Sequence, residues 1–111
     1  MKPLLLSLLM IGTLASLPAA ARKQKFTGTI TDSMCARADH SKMGMGPTDG
    51  ECTVACVLAD GALYVLFNGK QTYTLSDQKT PEKFAGKKVM VMGSLDAKTR
   101  TIQVDSITGA N

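Results

Sequence analysis

Apolar and polar positions alternate with the period of β-strands in several short segments after residue 22. Phe26, Gly28 and Ile30 fall on one face of Phe26–Thr31, with three threonines on the other. Leu63–Phe67 is nearly all apolar, and Thr72–Leu75 alternates again. Asn68-Gly69 lies between those two runs, and both residues accept the positive φ of a type I′ turn, so a hairpin is predicted there. A second hairpin is predicted from Lys87–Leu95 and Thr101–Ile107, joined across Asp96–Thr99. Val89, Val91 and Leu95 share a face, as do Ile102 and Val104. Ile107 breaks that register, which predicts a bulge or a strand end near Asp105-Ser106.

Two segments change period. Thr48-Asp49-Gly50-Glu51 has the Thr-x-x-Glu spacing of a capping box ahead of Cys52–Ala59, and Asp60-Gly61 supplies a stop, so a helix is predicted. Pro81–Phe84 predicts a single helical turn before Gly86. The stretch from Ser33 to Gly50 has no periodicity, and loops of that length in small domains are commonly functional or cross-linked. The element order therefore predicts a mainly β fold: a small five-stranded OB-like barrel with a helix-containing insertion between strands 1 and 2. A sandwich needs more strands.

The N-terminus has a different character. Lys2 precedes an apolar run from Leu4 to about Leu17; Pro18 ends it, and Ala19-Ala20-Ala21 provides small residues for a signal peptidase. Residues 1–21 are expected to be a cleaved signal peptide, with Ala20 as the alternative cleavage point, and 22–111 a single domain. The apolar run is shorter than the roughly 20 residues that span a bilayer, so no stable membrane anchor is expected after cleavage. A periplasmic or secreted location follows. Without Lys2, 12 basic side chains stand against 9 acidic ones. That balance is mild and partly concentrated in Arg22, Lys23 and Lys25, which argues against nucleic acid as a partner.

The chemistry sits in the insertion. All three cysteines and the only histidine lie within 22 residues, as Cys35-x4-His40-x11-Cys52-x3-Cys56. Helical spacing puts Cys52 and Cys56 on one face. Three thiolates and an imidazole form a tetrahedral donor set for zinc, and soft sulfur also suits copper(I); Met34, Met43 and Met45 in the same segment tilt the choice towards copper. An oxidising compartment supports a second reading equally: a disulfide from Cys35 to Cys52 or Cys56, leaving one free thiol. A bridge between Cys52 and Cys56 suits disulfide geometry less well. Val57 follows Cys56, which excludes a haem c motif, and three intervening residues do not match the thioredoxin-type redox motif. A nucleophile pair of Cys35 or Cys56 with His40 lacks an oxyanion site and any orienting group beyond Asp39, so no catalytic residue is assigned. Tyr64 and Tyr73 are expected in the core. Met90 and Met92 are expected to pack under the helix against Val54 or Leu58.

Asp32-Ser33-Met34-Cys35, His40, Glu51-Cys52-Thr53, Cys56 and Gly61–Leu66 together resemble a family of small secreted bacterial proteins classed as a domain of unknown function. Ala85–Val89 and Thr101–Val104 fit the same pattern, so the resemblance spans essentially all of 22–111. It implies an exported protein with an OB-like fold, and it implies no activity. Two functions are carried forward. One is a non-catalytic exported domain with a metal site at Cys35, His40, Cys52 and Cys56. The other is a ligand- or protein-binding barrel whose cysteines serve as a staple.

Overall fold

A computed structural model describes residues 22–36, 38–39 and 48–110. The expected signal peptide, His40, Met43 and Met45 lie outside the described residues. Among the described residues no helix is long and apolar enough to cross a membrane.

Five strands carry the fold: β1 (Lys23–Asp32), β2 (Tyr64–Phe67), β3 (Thr72–Leu75), β4 (Lys88–Asp96) and β5 (Thr101–Gly109). One helix, α1 (Asp49–Asp60), lies between β1 and β2. Short 3-10 turns occupy Ser33–Cys35 and Thr80–Phe84. The sheet closes into a ring in the order β1-β2-β3-β5-β4. Neighbours are antiparallel except β3 and β5, which run parallel through Thr74 and Leu75 opposite Thr101 and Ile102. β1 is the hinge of the ring: its residues up to Thr29 pair with β4, and those from Thr29 onwards pair with β2.

The alternating pattern explains what faces inward. Ile30, Tyr64, Leu66, Tyr73, Leu75, Val89, Val91 and Ile102 form the buried core, flanked by Phe26, Leu95, Val104 and Ile107. Phe26 and Tyr73 meet ring to ring with centroids 5.7 Å apart. The bulge falls where Ile107 requires it. Met92 opposes Ser106 and Gly93 opposes Val104, so Asp105 is the extra residue and Ile107 returns to the inner face.

Two expectations are corrected. The β2–β3 connection is not a two-residue type I′ turn. Phe67 pairs with Thr72, leaving four residues in the loop, and only Gly69 of the Asn-Gly pair has a positive φ (98°). Asn68 instead uses its side-chain oxygen, accepting from the N–H groups of Lys70 (2.9 Å) and Gln71 (2.7 Å). Met92 does not pack beneath α1 either: it is 37% exposed, and Leu58 is 72% exposed. The cause is position, since Met92 sits opposite Lys25 near the start of β1, whereas α1 packs towards the end of β1.

The helix is capped as expected. Thr48 Oγ1 accepts from Glu51 N at 3.1 Å, and Gly61 (φ 71°) ends the helix with its N–H donating to the Cys56 carbonyl. α1 rests on the Ala85-Gly86 segment, which is itself bonded to β1: Gly86 N donates to Ile30 O at 2.8 Å and Ile30 N to Lys87 O at 3.0 Å. Gly86 has a φ of 77°, and a Cβ there would stand 2.6 Å from Gly50 N. Backbone meets backbone at this junction, and no side chain fits between.

Candidate functional site

The end of β1 and the inner face of α1 contribute buried sulfur and carboxylate groups that act electrostatically on one another. Asp32 is fully buried as the last residue of β1, two positions beyond the core residue Ile30 and opposite Tyr64 on β2. Its carboxylate caps the following turn, with Oδ1 accepting from Met34 N and Cys35 N, both at 3.0 Å. The turn is fastened on three further sides. Thr31 Oγ1 donates to Cys35 O at 3.0 Å, and Thr72 Oγ1 donates to Ala36 O at 2.7 Å. Ser33 N donates to Leu63 O, and Leu63 N donates back to Ser33 Oγ, both at 2.9 Å. Cys35 is therefore held by backbone anchors and is itself buried.

α1 brings the other two sulfurs. Cys52, Thr53 and Cys56 are its buried residues, and Cys52 and Cys56 pack with Ala62 in a small cluster joined by Val57. The two thiols hydrogen-bond each other, as helical i, i+4 spacing allows. Burial pushes the Cys56 thiol up to about 12, reinforced by the Asp32 carboxylate and then by Cys52 and Cys35. Burial likewise raises the Cys35 thiol, with Asp32, Cys52 and Asp39 adding to it. Among the described residues, the carboxylates acting on these thiols are Asp32 on both and Asp39 on Cys35.

The structure thus brings Cys35, Cys52 and Cys56 into one electrostatically coupled cluster across a separation of 17 to 21 positions in the chain. His40, the fourth expected ligand, lies outside the described residues. Among the described residues no group of three or more His, Cys, Asp or Glu is arranged to hold an ion, and the three cysteines are free thiols. Met34 is 50% exposed while the neighbouring Cys35 is buried. Asp32 is the residue that sequence reasoning missed as part of the site. Its signal was present: an aspartate ending a strand immediately before a turn is a capping residue by type and position. Nothing in the sequence said that the cap would also be buried beside two thiols.

Tyr64 adds a second polar feature to this end of the ring. Its hydroxyl is buried and has no hydrogen-bond partner among the described residues. Burial raises its pKa, with Glu82 contributing. Compared with protein-family models, with curated proteins and with solved structures, the chain matches none.

Proposed function

We propose that residues 22–111 are an exported, non-catalytic OB-like barrel in which Cys35, Cys52 and Cys56, joined by His40, bind a soft metal ion, zinc or copper. The ring order β1-β2-β3-β5-β4 with its single parallel pairing supports the OB-like reading. The observation that carries the metal reading is that three buried thiols from two separate elements act electrostatically on one another, with Asp32 and Asp39 as their carboxylate neighbours among the described residues. Such a cluster holds its protons tightly when no cation is present, and a bound cation replaces them. Cys52 and Cys56, already in contact, supply the first two sulfurs, and Cys35 closes on them from its anchored turn. The donor set fits zinc, and with Met34 half exposed the tilt towards copper rests on Met43 and Met45.

The second reading is a disulfide between Cys35 and Cys52 or Cys56, with the third cysteine free, in a barrel that binds a ligand or protein elsewhere. The electrostatic coupling of Cys35 to both helical thiols favours it as well. Intact mass and elemental analysis of unreduced protein from the exporting compartment separate the two. The metal reading expects about one equivalent of metal, three alkylatable thiols after denaturation in chelator, and metal loss in Cys56→Ser. A mass lower by two hydrogens with no bound metal overturns it.

A further inference from the structure

On the flank of α1 turned away from the thiols lies an open groove of about 470 Å³ between the helix and the Thr80–Phe84 turn. Its floor is apolar, made by Val54, Ala55 and Ala85, and its walls carry one carboxylate each, Glu51 from the helix and Glu82 from the turn. The groove is rigidly based, because Gly50 and Gly86 press α1 and the turn's exit together backbone to backbone. Leu58 does not line the groove, but helical spacing places it one turn beyond Val54 and Ala55 on the same side of α1. It is the most exposed large hydrophobic side chain of the described residues, at 72%. Among the described residues neither Glu51 nor Glu82 has a cationic partner, although the chain is basic overall. Lys79 and Lys83 belong to the same turn but do not line the groove.

We propose that this groove docks a basic amphipathic segment of a partner protein. Its aliphatic side chains rest on Val54, Ala55 and Leu58, and its ammonium or guanidinium groups pair with Glu51 and Glu82. Helix-in-groove recognition uses this combination of apolar anchors at helical spacing and flanking charges. An apolar strip that runs from the groove along the helix to the exposed Leu58 is longer than a single small ligand would cover. The two carboxylates across it repel an anionic membrane surface and select a cationic occupant within a screening length of about 8 Å. The site is independent of the metal reading, because neither Cys52 nor Cys56 lines it and its α1 side chains are not the buried ones of the helix.

The test is a titration of the full protein with a fluorescein-labelled amphipathic peptide of leucine and lysine, with a leucine and glutamate peptide as its counterpart. Backbone amide shifts locate the contact. The lysine peptide is expected to bind, to shift amides within Thr48–Leu58 and Glu82–Ala85, and to weaken as salt rises. Replacing both carboxylates (Glu51→Gln with Glu82→Gln) is expected to weaken it about tenfold, and Leu58→Ser to weaken it severalfold. All three positions are on the surface, so preserved amide dispersion and an unchanged urea unfolding midpoint show that the variants fold. Equal binding of the two peptides, shifts confined to other faces, or unchanged affinity in the double variant overturns the proposal. A dimer that buries the groove does so too.

Discussion

Asp32 holds the most consequential position of any single side chain, because one buried carboxylate caps a turn and helps keep two thiols protonated. Replacing it with alanine removes both accepted N–H bonds around Met34 and Cys35, and loss of a cap costs about 0.5–2 kcal/mol. Asp32→Asn keeps an oxygen that can accept the same two bonds, so its stability is expected to lie between wild type and alanine in urea unfolding. The charge is a separate matter. With asparagine the second cause of the raised Cys56 pKa is gone while burial remains, so Cys56 is expected to alkylate with a midpoint below about 12 in metal-free protein. An unchanged alkylation profile would remove Asp32 from the site. Tyr64 gives the opposite expectation. Its buried hydroxyl has no partner among the described residues, so Tyr64→Phe removes a desolvated group without orphaning another. Its unfolding midpoint is expected to stay level or rise, and a loss above about 1 kcal/mol would mean that the hydroxyl is satisfied after all.

Among the elements, the seam between α1 and Ala85-Gly86 decides how the helix sits over the thiol cluster. Gly86→Ala combines a left-handed backbone, which costs an ordinary residue about 1–2 kcal/mol, with a methyl group 2.6 Å from Gly50 N. A total loss above about 2 kcal/mol in chemical denaturation is expected, since overpacking adds to the strain. This seam also marks where sequence reasoning stopped. Strands and helix were legible because each rests on local chemistry: alternation at Phe26, Gly28 and Ile30, the Thr48 cap, and the register break before Ile107. Long-range placement was not. The period-2 pattern says that Met92 faces away from Val91 but not which element covers that face, and α1 in fact lies at the other end of β1. Asn-Gly was read by its tolerance for positive φ, yet the asparagine side chain formed the turn through its oxygen and left only Gly69 left-handed. The three cysteines were legible as a group by spacing alone, whereas the carboxylate buried among them depends on where β1 ends.

For the molecule as a whole, the buried groups predict how stability responds to pH, and that response separates the states open to the cysteines. In metal-free reduced protein, Cys56 titrates at about 12 against an ordinary 9.0, and Cys35 and Tyr64 are shifted in the same direction. Below pH 9 both folded and unfolded chains keep the Cys56 proton, so its contribution is flat. Between 9 and about 12 the unfolded chain releases a proton that the folded one retains, and stability must fall as pH rises. Asp77 acts at the other end. Hydrogen bonds from Thr80 lower its pKa from 3.8, so its contribution is present above that value and is lost as pH falls through the folded value. Urea midpoints are therefore expected to show a plateau with an alkaline decline, and Cys56→Ala should flatten part of that decline while lowering the plateau. A midpoint that stays constant from about pH 7 to 10.5 would contradict the buried-thiol description. A bound metal changes the sign of the argument, because ligand thiolates have already lost their protons at neutral pH. Loaded protein should then lose the part of the alkaline decline contributed by its ligand thiols and gain a steep acid limb as protons compete the ion away. A disulfide would remove two thiols from the alkaline decline without creating that acid limb.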